Sequence, residues 1–405
     1  MKTVYDPFEP EVRLDPHPVY RCLRDEAPCY WAEGPGTWVL SRHDDVAWAL
    51  KATTQFSSDA VRGVQLGAPM GSGTEPLPRS IAGGNIVSID DPAHRQLRSI
   101  VNRGFTPRRI EEWRARIEEV VVEELAGGQN DGPFDVIEAV ARPLPVRIIA
   151  EMLGADSGEA DRFMEWADAV TRLMSGSQRG ALPGEAAVSM VSGIREHVTS
   201  VVADRRSCPM EDMITVLVQA SDQDVLSEAE TIGFASLLLF AGSETTTNLI
   251  GNTCLALVTH PDELARTIDD PDRLPRVLEE TLRWDAPVQY VFRRATGHVE
   301  IHGAEIRADD IVTLVLAAAN RDPRQWGSTA DRFDPDRVAA THVSFGLGPH
   351  FCLGASLARL EALVALEHLL PLLADGVLVD DEPPLIDSAQ FRGRRQLLIE
   401  RRGTR

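Results

Sequence analysis

One glycine-rich stretch constrains this chain more than any other, the sequence FGLGPHFCLG at residues 345–354. An apolar run from Ala355 to Leu370 follows it at once, with leucines at a helical spacing that predicts a buried helix. The loop therefore presents Cys352 at the start of a helix, where backbone N–H groups and the helix dipole point towards its sulfur. This setting predicts a lowered pKa for the Cys352 thiol and hence a thiolate, the form that binds metals.

An isolated cysteine is more often a packing residue of the core, and this is the alternative for Cys352. The neighbouring residues argue against it, because they match the pattern F-G-x-G-x-H-x-C-x-G without a substitution. Gly346, Gly348 and Gly354 also allow sharp turns and a close approach to a large flat ligand. The stretch resembles the haem-ligand loop of the cytochromes P450.

This resemblance implies a cofactor, its ligands and a fold. Cys352 is implied to be the axial thiolate ligand of haem b (iron protoporphyrin IX), a ligand that favours cleavage of the O–O bond. His350 is implied to contact a haem propionate, and Phe345, Gly346 and Gly354 to contact the haem. The implied architecture is the cytochrome P450 fold, mainly α-helical with minor β-sheets, in a single large domain with a long central helix.

Length and composition agree with one domain. The chain has 405 residues, 43% of them hydrophobic and 25% charged, without a linker, repeat or low-complexity block. We therefore predict a single haem-thiolate domain over residues 1–405. Hydrophobic periodicity further predicts helices at residues 111–126, 142–153, 158–174 and 185–206, and strands within residues 298–319.

Charge and cysteine content exclude several classes of protein. The net charge of −21 repels nucleic-acid phosphates. Five cysteines without a C-x-x-C pair argue against a disulfide framework or a zinc site and favour a reducing compartment. The N-terminus is acidic and lacks a signal-peptide core, and no apolar run is long enough to span a membrane. We expect a cytoplasmic protein that binds neither nucleic acid nor membrane.

A second feature is a long apolar helical pattern from Ser227 to Thr259. Ser227 and Glu230 fit a helix-capping box, and Pro261 ends the pattern. The polar sequence AGSETT at residues 241–246 interrupts it with a helix-weakening glycine, a carboxylate that is unfavourable when buried, and a threonine that can bond back to the helix backbone. Such conflicts are expected at functional sites, whereas the alternative is a helix kink with threonine as filler.

This segment resembles the A/G-G-x-D/E-T motif of the cytochromes P450. The resemblance implies that Thr245 hydrogen-bonds dioxygen at the haem and that Glu244 helps to relay protons to it. Ala241 stands where the family more often has glycine. We expect Ala241 to contact the haem and to leave enough room for O2.

Basic residues elsewhere are candidates for contacts with the haem propionates. His94 and Arg98 are four residues apart, so on a helix they share one face that suits a carboxylate. The alternative for this pair is a solvated helix face. By resemblance Arg293 is another propionate partner, preferred to Arg294.

A weaker motif joins Glu280 to Arg283, which can pair on one face of a helix. An E-x-x-R sequence often arises by chance as a surface pair. Here it resembles the structural E-x-x-R of the family, which implies a lock on the cysteine-loop region through charge-assisted bonds.

The substrate is expected to be an apolar small molecule, because the residues that the resemblance assigns to the pocket are mostly apolar. They are Leu237, Phe240, Val288, Val291 and Phe391, with Gln289 as a polar anchor. Residues 57–89 resemble the variable loop that caps the pocket, and Met174 and Leu182 lie where the family has a mobile lid. A surface loop and core packing are the respective alternatives.

An arginine-rich stretch at residues 95–116 contrasts with the acidic chain. We interpret Arg103, Arg108, Arg109 and Arg116 as a docking patch for an acidic electron donor such as a ferredoxin. The alternative is local salt bridging to the glutamates at positions 111, 112, 118 and 119.

These features predict a haem-thiolate monooxygenase that inserts one oxygen atom of O2 into its substrate by hydroxylation. Electrons would come from NAD(P)H through a separate reductase and a ferredoxin, since this chain shows no flavin or iron–sulfur domain, and we expect a monomer. Two alternatives are a peroxide-dependent haem peroxygenase and a non-catalytic haem-binding or sensor protein. The intact pair of Glu244 and Thr245 argues against the first, and the lack of an output domain argues against the second.

Overall fold

The computed structural model describes residues 5–60, 86–128, 132–155, 157–167, 185–210, 212–221, 228–338 and 341–401. Several predicted features lie outside these residues, namely most of the 57–89 loop, Met174, Leu182 and Ser227 of the capping box. Among the helices of the described ranges, none is long and apolar enough to cross a membrane.

Helices dominate the described chain, and the predicted fold class, mainly helical with minor sheets, is confirmed. In chain order they are α1 (Pro10–Leu14), α2 (His17–Glu26), α3 (His43–Lys51), α4 (Ala93–Val101), α5 (Pro107–Glu111), α6 (Arg114–Gly127), α7 (Pro143–Met152), α8 (Glu185–Ser207), α9 (Met213–Ser221), α10 (Glu228–Thr259), α11 (Pro261–Asp269), α12 (Leu274–Trp284), α13 (Leu316–Ala319), α14 (Pro323–Trp326) and α15 (Ala355–Asp375). A π-helical turn at Ile137–Ala141 precedes α7, and residues 160–167 are also helical.

The helix boundaries differ from the sequence predictions at two places. The helix predicted at 111–126 is divided, because α5 ends at Glu111 and α6 begins at Arg114. The predicted strand region 298–319 ends in a short helix, α13, instead of a strand. Its residues are fully buried alanines and one leucine, which have high helix propensity.

Short strands form three small sheets beside the helices. The strands are β1 (Cys29–Ala32), β2 (Thr37–Leu40), β3 (Phe56–Ser57), β4 (Phe134–Asp135), β5 (Val291–Ala295), β6 (Val299–Ile301), β7 (Ala304–Ile306), β8 (Ile311–Leu314), β9 (Gly376–Leu378) and β10 (Leu398–Arg401). The largest sheet has the order β1-β2-β8-β5-β3, in which only β2 and β8 pair in parallel. It brings N-terminal strands next to β5, which carries Val291 and Arg293.

The central helix α10 organises the helical body. It is 32 residues long, and it contacts α7, α8, α9, α11, α12 and α15. Apolar side chains on several of its faces are buried, as expected for a helix that is surrounded by protein. The predicted long central helix is therefore confirmed. It packs directly against α15, the helix that follows Cys352.

A buried ion pair fixes the segment that leads to the cysteine loop. Arg283 is 2% exposed and donates two hydrogen bonds of 2.7 Å to the carboxylate of Glu280, which is 5% exposed. The same guanidinium donates to the carbonyl oxygens of Asn320, Ala330 and Arg332 at 2.7–2.8 Å. The predicted E-x-x-R pairing is confirmed, and its partners tie α12 to residues 320–332.

Replacing Arg283 with leucine should lower the free energy of unfolding by about 3–5 kcal/mol, because the buried Glu280 carboxylate loses both short bonds to its main cation and keeps only Arg337, at 3.5 Å, as a cation within the described chain. Chemical denaturation followed by circular dichroism measures this change. The control is Arg21→Leu, whose exposed guanidinium pairs with Asp331 at 2.9 Å and whose loss should change stability by less than about 1 kcal/mol. Equal losses in the two variants would contradict a structural role for the buried pair.

Candidate active site

The cysteine loop is a compact turn whose glycines adopt conformations that other residues rarely reach. Gly346 and Gly348 have φ angles of 68° and 74°. A Cβ atom on Gly348 would lie 3.1 Å from the Leu50 carbonyl oxygen, so the loop packs closely on the end of α3. The backbone N–H of Cys352 donates to the Phe345 carbonyl at 2.8 Å, which closes the turn. Gly354 then precedes α15, as the sequence predicted.

Cys352 is accessible to solvent although protein surrounds it on most sides, as for a residue in the wall of an internal opening. Burial raises the pKa of its thiol, and this outweighs the lowering by backbone N–H groups of Gly354 and Ala355 and by the charges of Arg98 and Arg359. The prediction of a lowered pKa is therefore wrong in direction, because it counted the helix terminus and left out desolvation. A cation on the sulfur would supply the missing stabilisation of the thiolate.

Two histidines predicted to contact a propionate lie against each other. The rings of His94 and His350 have centroids 4.0 Å apart at an angle of 35°. Burial lowers the pKa of both, that of His350 to about 3 with a further contribution from the positive charge of His94. The Nε2 atom of His94 is buried without a hydrogen-bond partner in the described part of the chain. Such atoms are rare in folded proteins, so this one is a candidate contact for a polar ligand group.

Two arginines at the same site also form no salt bridge within the described ranges, although the charge of Asp90 acts on Arg293. Arg293 on β5 is 6% exposed and donates to the Phe292 carbonyl at 2.8 Å. Arg98 on α4 is half-buried and donates to Asn102 at 2.9 Å. Burial lowers the pKa of both guanidinium groups, that of Arg293 to about 10. An anionic group beside them would relieve this penalty.

These residues fit the haem that the sequence predicts. Cys352 supplies a sulfur ligand at the start of α15, and space is left beside the loop at Gly346 and Gly354, where no described atom outside the adjacent residues would lie closer than 3.6 Å to an added Cβ atom. The orphaned nitrogen of His94 and the unpaired guanidinium groups of Arg98 and Arg293 match the negative charge of propionates.

Part of the polar segment of α10 faces an opening, whereas Ser243 and Thr246 are buried. Ala241, in the middle of this otherwise buried helix, is exposed. The Thr245 hydroxyl donates to the Ala241 carbonyl at 2.8 Å, which confirms the predicted bond back to the helix backbone. A Cβ atom on Gly242 would lie 2.9 Å from Ile149, so glycine here allows α10 to approach α7. Glu244 is half-buried and accepts a hydrogen bond of 3.2 Å from Asn248.

Some of the predicted substrate residues come together. The rings of Phe240 and Phe391 meet edge to face with centroids 6.0 Å apart, and Val288 forms a β-bridge with Phe391. Val291 is half-buried at the start of β5, and Leu237 is half-buried one turn before Ala241 on α10.

The Gln289 side chain is engaged in hydrogen bonds within the protein. It is 4% exposed, its Oε1 accepts from the Tyr20 hydroxyl at 3.3 Å, and its Nε2 donates to the Ala286 carbonyl at 2.7 Å. Both ends of the amide are therefore engaged by the protein, which argues against Gln289 as a polar anchor for substrate.

The arginine patch is smaller than predicted. Arg116 makes hydrogen bonds of 2.8–3.2 Å to Glu151 and one of 2.9 Å to Glu119, so the salt-bridge alternative holds for this residue. Arg108 and Arg109 have side chains 93% and 58% exposed, with looser contacts to Glu112 at 3.9 and 3.4 Å. Arg103 is also exposed. We define the docking patch from here on as Arg103, Arg108 and Arg109.

The sequence analysis overlooked Arg359, which supports the loop from α15. Its guanidinium lies 4.4 Å from the centroid of the Phe345 ring and donates to Glu279 at 2.6 and 3.0 Å. Although burial raises it, hydrogen bonds from His342 and Arg359 hold the pKa of Glu279 at about 2. The available signal was the position of Arg359 two helical turns after Cys352, where a basic residue can reach back along the helix.

Comparison with known proteins agrees with this geometry. The sequence model of the cytochrome P450 family matches residues 25–390. The chain is 35% identical over 391 residues to 6-deoxyerythronolide B hydroxylase of Saccharopolyspora erythraea, covering 94% of this chain and 95% of that protein. It is 36% identical over 386 residues to vitamin D(3) 25-hydroxylase of Pseudonocardia autotrophica, covering 93% and 92%. The solved structure of cytochrome P450 CYP109Q5 from Chondromyces apiculatus agrees with a TM-score of 0.87 at 33% identity over 99% of each chain. This chain belongs to the cytochrome P450 family.

Proposed function

We propose that this cytochrome P450 monooxygenase uses haem b to hydroxylate an apolar small molecule, with electrons from NAD(P)H delivered by a reductase and a ferredoxin. The observation that carries the proposal is Cys352, held by a closed glycine turn at the start of α15 with unpaired cations around it. Haem bound there would activate dioxygen, so that with two electrons and two protons one oxygen atom enters the substrate and the other leaves as water.

Residues of this chain would hold the cofactor from two sides. Cys352 would bind the iron, and Phe345, Gly346 and Gly354 would border the ring. His94, Arg98, Arg293 and His350 would donate to the propionates, with the buried Nε2 of His94 as one specific donor. Ala241 would border the oxygen site, because it is exposed in the middle of the central helix.

Thr245 and Glu244 are proposed to deliver the protons. The Thr245 hydroxyl now donates to the Ala241 carbonyl, and a hydroxyl has one donor and two acceptor positions. Rotation of this hydroxyl would break the backbone bond, at a cost of about 1 kcal/mol, and turn its proton towards the proposed oxygen site beside Ala241. The carboxylate of Glu244, on the adjacent position of the helix, would resupply the proton.

An apolar substrate is supported by the contact between Phe240 and Phe391 near the exposed part of α10 and by the half-buried apolar residues on neighbouring elements. Leu237, Phe240, Val288, Val291 and Phe391 offer apolar surface. The two hydroxylases compared above are named for 6-deoxyerythronolide B and vitamin D(3). We propose an apolar substrate and do not include Gln289 among its contacts.

The remaining proposals rest on the sequence and on the exposed arginines. The docking patch of Arg103, Arg108 and Arg109 would bind the acidic surface of a ferredoxin. We further propose that residues 1–405 form one domain that acts as a monomer in the cytoplasm. The peroxide-dependent and non-catalytic alternatives are less well supported, because Thr245 and Glu244 are both present and suited to proton delivery.

Optical titration of the purified ferric haemoprotein tests the proposed activity. Apolar macrolides, steroids, terpenoids and fatty acids should include ligands that displace the distal water and change the spin state with saturation. Such ligands should then be hydroxylated when NAD(P)H, a reductase and a ferredoxin are added. A spin-state change without product under these conditions, together with product from peroxide alone, would favour the peroxygenase instead.

Thr245→Ala should lower the fraction of electrons recovered in hydroxylated product by roughly fivefold or more, while haem content and substrate affinity stay unchanged. Product and peroxide are quantified against NAD(P)H consumed. Thr253→Ala is the matched control, because Thr253 makes the same type of backbone bond, 2.7 Å to Leu249, further along α10. Unchanged coupling in Thr245→Ala would exclude the proposed proton role.

Reversing two charges of the docking patch, Arg108→Glu with Arg109→Glu, should raise the KM for ferredoxin roughly tenfold at low salt and flatten its dependence on ionic strength. Ferredoxin-dependent turnover is measured between low and high salt. The control reverses Arg21 and Arg276, which are also exposed, with side chains 59% and 68% accessible. If both double variants respond alike, net charge and not the patch governs the encounter.

A further inference from the structure

Asn248 connects the acid on the central helix to the protein around it. It lies four residues after Glu244, so both side chains project from one face of α10. Its Nδ2 donates to the Glu244 Oε1 atom at 3.2 Å, and the residue is 1% exposed. An amide buried in an apolar helix is unfavourable unless its groups are used, which makes this contact a candidate for function.

The other side of the Asn248 amide rests on the backbone of Gly393. A Cβ atom at position 393 would lie 1.8 Å from the Asn248 Oδ1 atom and 2.3 Å from its Cγ atom. Any residue other than glycine would therefore displace the amide or the strand segment that carries Gly393. The Asn248 Oδ1 atom has no hydrogen-bond partner among the described residues, so the rotamer is held by this packing and by Glu244.

The segment that carries Gly393 is itself fixed to α10 one turn further along. Asn252 donates from its Nδ2 atom to the carbonyl oxygens of Asp285 and Arg392 at 3.1 and 3.0 Å. Arg392 donates from its Nε atom to the Asp285 carboxylate at 2.8 Å. The position of Gly393 relative to α10 is therefore set by several bonds that do not involve Asn248.

The same short segment also reaches the proposed substrate pocket. Phe391, two residues before Gly393, meets the Phe240 ring edge to face. One end of the segment thus borders the pocket, and the other end supports the amide that touches Glu244.

We propose that Asn248 is a positioning residue that holds the Glu244 carboxylate in the orientation needed for proton delivery. The backbone of Gly393 packs against the Asn248 amide and keeps it in place. The hydrogen bond from the amide stabilises negative charge on the accepting oxygen of Glu244. It therefore favours the ionised form of the carboxyl group and fixes the position of that oxygen. Without the amide, the carboxylate samples more rotamers and loses a hydrogen bond to its charged form. This inference rests on the proposed function, in which Glu244 delivers protons. The effect of Asn248 on the Glu244 carboxylate can be measured separately from that function.

The first test measures ionisation of Glu244 in the haem-loaded protein by infrared spectroscopy across a pH series, with Glu244→Gln identifying the carboxyl band. Asn248→Leu should raise the pKa of Glu244 by about 1, because a hydrogen bond to the charged form is lost. Gly393→Ala should raise it in the same direction, because it displaces the amide. Asn248→Asp, nearly equal in shape to asparagine, should raise it further by placing a like charge beside the carboxylate.

Thr253→Val is the matched control, which removes a buried polar group further along the same helix. It should reduce thermal stability by removing the hydrogen bond of 2.7 Å to the Leu249 carbonyl, yet leave the titration of Glu244 unchanged. A Glu244 titration that is the same in wild type, Asn248→Leu and Asn248→Asp would overturn the inference. If Asn248→Leu does not fold, Asn248→Asp and Gly393→Ala carry the test.

A double-mutant cycle then connects the position of Glu244 to turnover. Asn248→Leu alone should reduce coupling of electrons to product roughly tenfold, and it should have no further effect in the Glu244→Gln background. Additive losses would mean that Asn248 acts independently of Glu244, against the inference. A shifted titration in a protein that hydroxylates nothing would leave the positioning intact and refute the proposed function.

Discussion

Buried positive charge beside Cys352 is the constraint on which the rest of the site depends. Arg293 and His94 are almost fully buried, Arg98 and His350 are partly so, and burial depresses the pKa of all four. Burial also disfavours the thiolate of Cys352. A single ligand with a central cation and peripheral carboxylates would reverse both penalties at once. The charges at this site therefore complement a cofactor that has a metal cation at its centre and carboxylates at its edge.

The central helix joins this cofactor site to the chemistry proposed above it. Its polar interruption at residues 241–246 would be unfavourable in an ordinary core helix. Here the exposed alanine gives access, the threonine hydroxyl satisfies a helix carbonyl, and the carboxylate is supported from the next turn. The remaining faces of α10 pack on neighbouring helices, so the helix tolerates the local loss of stability.

Local patterns in the sequence were sufficient for the cysteine loop, the central helix and the Glu280–Arg283 pair, because spacing of a few residues determines each of them. Contacts between residues that are far apart in the sequence could not be predicted from such local spacing. The amide of Gln289 is bonded to Tyr20, which is 269 residues away, and Arg116 is bonded to Glu151, 35 residues away. Whether the pKa of the Cys352 thiol rises or falls depends on how many groups surround the sulfur in three dimensions. A sequence motif does not contain this information.

The parallel pairing of β2 with β8 has a consequence for the order in which the chain matures. The hydroxyl groups of Thr37 and Thr313, which lie on these two strands, share a hydrogen bond although 276 residues separate them. During synthesis, the N-terminal strands leave the ribosome long before the partner that completes their sheet, and the cysteine loop emerges later still. Closing so long a loop is slow relative to helix formation. The helices of the middle region can therefore assemble first, and the sheet and the cofactor site are completed only after β8 and the cysteine loop have been synthesised.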